Sequence, residues 1–252
     1  MSHRSTELQT AWVLHSRQYR ESSLIVDLLT VEHGVISVVV NGARGAATKK
    51  GRPRRGQLLQ PFVELLVSWQ GKTELKTLKA VEQRRIYSLA GIRLFSGLYA
   101  NELLQRLLQP WHPIEGLPAL YTWLQTQLTV SDLERSDLEF CLRIFEKRLL
   151  ELLGYGLPLG FDAESASAIN PHIWYCYDSE SGFWPMTKPT PEQAEYRSQR
   201  LFSGAMLLAL ASEELTAEHL PASKALMRMA IAPLLGQRPL RSRELFRGLA
   251  RN

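Results

Sequence analysis

Apolar positions in the first eighty residues gather into five short runs: Thr10–His15 (TAWVLH), Leu24–Thr30 (LIVDLLT), Val35–Val40 (VISVVV), Pro61–Trp69 (PFVELLVSW) and Glu74–Val81 (ELKTLKAV). Their length, their β-branched content and the turn residues between them predict strands. LIVDLLT is apolar almost throughout, so its length and the following His33-Gly34 turn make the assignment where alternation does not. Gly71 marks a tight turn between the fourth and fifth runs. Five strands in this space predict a small barrel. A five-stranded barrel with Greek-key connections is the OB architecture, whose strand face and loops hold single-stranded nucleic acid.

From Ser88 the period lengthens to about three and a half, the spacing of a helical face. Gly91–Leu108 places Leu94, Leu98, Leu104 and Leu108 on one side and stops at Pro110 and Pro113. Leu117–Leu128 is a shorter helix. Ser131–Leu153 carries the stripe Leu138, Leu142, Phe145, Leu149 and Leu152, with Ser131 as N-cap, Glu134 in capping-box position, and Gly154 and Gly156 as the stop. Residues 157–191 are irregular, with a hairpin expected in IWYCYDSESGFWPM. Helices are expected again at Phe202–Ser212, Ser223–Leu235 and Ser242–Leu249, punctuated by Pro221, Pro233 and Pro239. The fold class is therefore α+β: an N-terminal five-stranded OB-fold barrel, residues 1–82, followed by an all-helical domain, 83–252, with a small irregular hairpin insertion at 157–191.

Charge changes this picture. Gly42–Phe62 (GARGAATKKGRPRRGQLLQPF) holds six cations and no acid: Arg44, Lys49, Lys50, Arg52, Arg54 and Arg55. The interleaved Gly45, Gly51, Pro53 and Gly56 argue against a stable helix, leaving a solvated cationic loop suited to a polyanion backbone. The net charge of +5 conceals segregation. Residues 1–80 hold twelve Lys/Arg against six Asp/Glu, 81–235 hold thirteen against eighteen, and 236–252 hold five against one. Basic ends around an acidic middle predict a localised anion-binding surface.

Two cysteines, Cys141 and Cys176, are too few for a disulfide framework or a four-thiolate metal site, and a reducing compartment fits. The polar start MSHRSTELQT lacks a signal-peptide core, and no run approaches the ~18 apolar residues of a membrane span. The expected location is the cytoplasm, in association with the nucleoid, with no membrane contact.

The residues VLHSRQYRESSLIVDLLT, NGARG, LLQPF and GKTELKTLKAVE in the barrel, then SGLYANELLQRLL, LRIFEKRLLELLGYG and PLLGQRPLRSRELFR, resemble in order and spacing the RecO family of bacterial recombination mediators. The resemblance spans nearly the whole chain. It implies an OB-fold, a helical domain and a basic C-terminal region. It also implies binding of single- and double-stranded DNA, annealing of complementary strands, engagement of the tail of single-strand-binding protein (SSB), and work with RecR to load RecA, with RecF a possible further partner. No chemistry and no cofactor are implied. Many members carry a four-cysteine zinc module after the LGYG segment. Here that stretch offers only Cys176, with His172 four residues before it, so 157–191 is expected to be a metal-free remnant folded around Trp174, Tyr175, Phe183 and Trp184.

Annealing needs two phosphate backbones neutralised while base edges stay free, and each phosphate contact on a single strand adds ~0.7 to the salt slope. The DNA-binding candidates are Arg17 and Arg20 after the first strand, Arg44, Lys49, Lys50, Arg52, Arg54 and Arg55 in the loop, and Lys72 and Lys76 on the fourth-to-fifth strand hairpin. Arg44 ranks highest, between the glycines of NGARG. Lys72 and Lys76 equally suit protection of a sheet edge. Arg238, Arg241 and Arg243, with Arg247 beyond, form a second basic patch, for which attraction to a helix C-terminus is the alternative. Trp12 and Trp69 fit core packing as well as base stacking. SSB tails end in acidic then apolar residues, so Leu142, Arg143 and Lys147 are the tail-binding candidates, with a surface ion pair to Glu139 or Glu146 as the alternative.

Enzyme signatures are lacking: there is no GxxxxGK[ST] loop, HExxH helix or GxSxG elbow, and the six histidines are scattered. No catalytic or metal-ligating residue is assigned, and a metal-dependent nuclease is the enzymatic alternative. The other reading is a generic OB-fold module that binds single strands or RNA without annealing.

Overall fold

Eight β-strands and seven α-helices are described below from a computed structural model covering residues 7–43, 55–186 and 200–249. The chain divides into two compact units, Met1–Val130 with Pro239–Asn252, and Ser131–Arg238. The division at 82/83 drawn from sequence period falls inside the first unit.

In that unit β1 (Gln9–Tyr19), β2 (Ser23–Thr30), β3 (Gly34–Val40), β4 (Val63–Gln70) and β5 (Lys76–Ile86) close a barrel in the order β1-β2-β3-β5-β4. The β3–β5 pair is parallel and the other seams antiparallel. Val13, Val26, Leu28, Ile36, Val38, Leu65, Val67 and Leu78 fill the interior. Trp12 and Trp69 are each 3% exposed, which settles them as packing residues. β1 and β5 run longer than the apolar runs that predict them, because their last residues face solvent and carry no alternating signal.

α2 (Gly91–Leu107) packs on β1, and α3 (Leu117–Thr129) packs on α2 and sets Tyr121 edge-on to Trp12 of β1. α2 buries Ser96, Gly97, Tyr99, Ala100, Asn101, Leu103 and Leu104; of the expected stripe Leu104 and Leu108 are buried, whereas Leu94 and Leu98 are only half-buried. Small residues let the helix approach closely: a Cβ on Gly97 would sit 2.6 Å from the Phe62 ring. Where pairing shifts register on β1, between Val13 and His15, Asn101 Nδ2 donates to the Val13 and Leu14 carbonyls at 3.2 and 3.3 Å. Tyr121 of α3 donates in turn to Asn101 Oδ1. The bulge thus keeps its freed carbonyls satisfied.

α7 (Ser242–Leu249) returns to α2, with Phe246 edge-on to Phe95. Glu102 of α2 accepts from Arg241 N–H, Ser242 N–H and Ser242 Oγ–H, capping α7 from outside its own sequence. Burial raises the Glu102 pKa, but these bonds outweigh it and hold the carboxyl below its ordinary value.

In the second unit α4 (Arg135–Leu152) packs on α6 (Leu220–Leu235), and α5 (Gly204–Ser212) lies before α6. α4 starts later than expected. Its N-cap is Glu134, in a reciprocal box with Asp137, while Ser131 spends its hydroxyl on Asp132. Leu150 rather than Leu152 completes the buried stripe. β6 (Trp174–Asp178) and β7 (Gly182–Met186) form the expected hairpin, and β8 (Leu201–Ser203) joins it to make the order β7-β6-β8. The helix expected from Phe202 starts two residues later, because Phe202 and Ser203 belong to this strand. Ser203 caps α5, and Gly204 lies so close to Asn170 that a Cβ would collide with its carbonyl oxygen.

Glu213, in a left-handed conformation (φ 63°) after α5, ties α4 to this helix end through Lys147 and Arg148. Hydrogen bonds from Arg148, opposed by burial and aided by Lys147, hold its carboxyl below the ordinary glutamate value. A depressed folded value contributes stability above the unfolded pKa of about 4.3 that is lost as pH falls through the folded value. Glu213→Gln is therefore expected to lower stability by about 1–2 kcal/mol at pH 7. In urea unfolding the gap from the unmodified protein should close in acid below the ordinary glutamate range, and a gap that persists there would disprove the linkage.

Candidate nucleic-acid interface

Strand register sorts the barrel's cations between two ends. At one end lie the β1–β2 turn, the end of β3, the start of β4 and the end of β5, since Tyr19 pairs Ser23, Leu24 pairs Val40 and Val63 pairs Ile86. Arg17 and Arg20 are exposed here, Arg20 with φ 54° and its guanidinium 5.0 Å from the Tyr19 ring. The basic loop leaves from and returns to this same end.

The loop's base is pinned on both sides. Ala43 and Leu59 are buried in the barrel core, and a Cβ on Gly56 would meet the Ala43 carbonyl oxygen at 2.5 Å, so the two stems touch. The single turn α1 (Arg55–Leu58) is held to β5 by Gln83 Nε2 donating to the Leu58 carbonyl at 3.0 Å. Arg55 is exposed on this turn, a short helix where glycine content had argued for none. Arg44, Lys49, Lys50, Arg52 and Arg54 lie outside the described residues.

Sequence reasoning passed over three more cations on β5. Pairing with β4 skips Lys79, between Leu78 and Ala80, and Arg84, between Gln83 and Arg85. Both skipped residues are exposed, as is Arg85, whose guanidinium lies 4.8 Å from the Tyr87 ring. A bulge re-aims its extra side chain outward. The tandem arginines of VEQRRIY are legible as charge, but they lie beyond the apolar run that ends at Val81, on the exposed end of β5.

Lys72 and Lys76 sit at the other end, on the β4–β5 turn, where Lys76 Nζ lies 4.7 Å from the Trp111 ring. Among the described residues, none of Arg17, Arg20, Lys72, Lys76, Lys79, Arg84 and Arg85 comes within ion-pair distance of a carboxylate. All but Lys76, which is half-buried, are exposed.

The C-terminal cations are split. Arg238 follows α6, whereas Arg241 and Arg243 lie at the N-terminus of α7, Arg241 exposed and Arg243 half-buried. A helix N-terminus repels cations, so attraction to a C-terminal dipole does not explain Arg241 or Arg243.

The tail-binding candidates are placed differently from the surface cluster expected. Leu142 and Arg143 are 6% and 4% exposed. Arg143 Nη2 donates to Glu146 Oε1 at 2.6 Å, and both side chains are buried. The surface ion pair offered as the alternative is in fact an interior one, because α4 turns this face toward the core. Arg143 Nε is buried without a hydrogen-bond partner among the described residues. Lys147 is bonded to Glu213 and the Ala211 carbonyl.

The 157–186 segment does not fit a zinc ion. Among the described residues no three His, Cys, Asp or Glu side chains cluster as ligands. Cys141 is buried on α4, its thiol pushed up to about 11 by burial and by Asp137. The sheet is packed instead by Tyr175, Tyr177, Phe183 and Phe202, while Trp184, expected in this core, is 41% exposed because it alternates outward from Phe183. Among the described residues no helix is long and apolar enough to cross a membrane.

A closed barrel of strand order 1-2-3-5-4, with cations collected at the rim where its longest loop is rooted, defines a protein of the OB-fold class. Residues 1–87 match the family described as Recombination protein O N terminal, and residues 89–244 match Recombination protein O C terminal. The chain belongs to the recombination protein O family. It is 43% identical to the DNA repair protein RecO of Cellvibrio japonicus, over 95% of this chain and 96% of that protein. It is 42% identical to the protein of that name in Methylococcus capsulatus (95% and 93%) and 41% to that in Coxiella burnetii (94% and 97%).

Proposed function

We propose that this protein is a non-enzymatic mediator of DNA repair and homologous recombination. It binds single- and double-stranded DNA, anneals complementary strands, engages the SSB tail and works with RecR to help load RecA. The observation that carries the reading is the rim of the barrel, where Arg17, Arg20, Arg55, Arg84 and Arg85 lie at the same end as the pinned base of the basic loop. Cations on a rigid rim neutralise sugar-phosphate backbones without reading sequence, leaving base edges free to pair. Arg241 and Arg243 provide a second phosphate-binding patch, so that two strands are held by one molecule. The acidic SSB tail is received in the helical unit, with Leu142, Arg143 and Lys147 of α4 as its candidate contacts.

The test is annealing of labelled complementary oligonucleotides, bare and coated with SSB. Acceleration in both settings is expected. Binding without acceleration would point to a generic single-strand or RNA-binding module, and cleavage dependent on added magnesium or manganese would revive the nuclease.

A further inference from the structure

At the barrel end opposite the basic loop, Lys72, Thr73, Glu74, Lys76, Gln109, Pro110 and Trp111 line an open cleft of about 600 Å³. We infer that this cleft seats one unstacked nucleotide of a single strand, with the base against the Trp111 indole and the adjoining phosphate on Lys72 and Lys76. The inference rests on the nucleic-acid reading above but concerns a separate place on the barrel.

The indole is held in position by its surroundings. Trp111 has φ 60°, a left-handed conformation that is costly for a residue with a bulky side chain, and such strain persists only where neighbours over-determine it. Here the Trp111 N–H donates to the Val35 carbonyl at 3.0 Å, and Pro110 bridges the same strand residue. The His33 ring stands edge-on to Trp111 at 6.1 Å and to Trp69 at 5.4 Å. His33 is itself oriented through Nδ1 by Gln9 Oε1, and Gln9 is fixed by donating to Glu32. The result is a half-buried aromatic platform built on the barrel wall.

The Lys76 ammonium lies against this ring and also donates to the Gly71 carbonyl at 3.2 Å. An ammonium on a four-carbon stem is a replaceable cover. It can swing onto a phosphate and leave the ring face to a base, exchanging a cation–π contact for an opposite charge. Lys72 is exposed beside it; Glu74, the acid of the lining, restricts the phosphate to the lysine side. The volume is in the range of small-ligand clefts. A duplex has no free base face to offer, so the cleft distinguishes unpaired from paired strands.

The experiment measures binding of labelled oligo-dT, an abasic oligomer of equal length and a duplex by fluorescence anisotropy. Trp111→Gly removes the ring at a φ that glycine adopts freely. It should weaken oligo-dT about tenfold, as loss of one stacked base does, and leave the abasic oligomer and duplex unchanged, with Trp111→Phe restoring most of the loss. In the unmodified protein, photocrosslinking to iodouracil-substituted oligo-dT should label the peptide containing Trp111. Unchanged oligo-dT affinity, an equal fall for all three ligands, or adducts confined to other peptides would overturn the inference. If the unmodified protein binds none of the three, the nucleic-acid reading itself fails.

Discussion

Replacing Lys49, Lys50, Arg52, Arg54 and Arg55 with alanine is expected to weaken DNA binding sharply and to flatten its dependence on salt. Each single-strand phosphate contact contributes ~0.7 to the slope of log affinity against log salt, so losing five contacts lowers the slope by about 3 to 4. The change should be uniform across sequences, because phosphate contacts position a strand without specifying it. The fold should survive. The two stems are held by Ala43, Gly56 and Leu59 and by the Gln83 bond to Leu58, none of which is altered. Titrations between 50 and 200 mM salt, the range over which such contacts separate most clearly, are the measurement. An unchanged slope would remove the loop from the interface and leave the rim arginines to account for binding.

The second large effect is expected at the Arg143–Glu146 pair. Removing one member of a buried pair takes from the other its close opposite charge in a low-dielectric interior, and Arg143→Met should cost about 3–5 kcal/mol. Whole domains are stable by about 5–15 kcal/mol, so this single change endangers the fold of the unit that contains α4. Arg143→Met combined with Glu146→Leu should recover stability to that of the unmodified protein or above it, because two apolar side chains of similar reach need no solvation. The folded double variant then isolates the binding question. If Arg143 contributes to receiving the acidic SSB tail, the double variant loses tail binding while keeping DNA affinity. Undiminished binding of the tail peptide would refute the assignment.

Different parts of this molecule were legible in the sequence to different degrees, for physical reasons. The five apolar runs and the helical stripe from Leu138 to Leu149 are core-facing, so burial wrote them into the hydrophobic pattern. β5 beyond Val81 and β1 beyond Leu14 face water, and nothing in their composition marks them as strand. On α2 the leucine stripe marks the buried face only in its second half, at Leu104 and Leu108, while Leu94 and Leu98 stay half-buried. At close helix-to-barrel contact, glycine, serine and alanine occupy that face instead. Trp111, between two prolines after α2, reads as a helix stop until Val35 and Lys76 are found beside it.

The charge of the basic loop, the segregation of cations and acids, and the five-strand, then helical, order are properties of the sequence alone, because they depend on composition and period. Tertiary structure decided which cations meet. Arg17 and Arg84 lie 67 positions apart and reach the same rim only because β1 and β5 both run to that end of one closed barrel. It also took Arg143 from surface candidate to buried partner of Glu146, since which side of a helix faces inward is fixed by what packs against it.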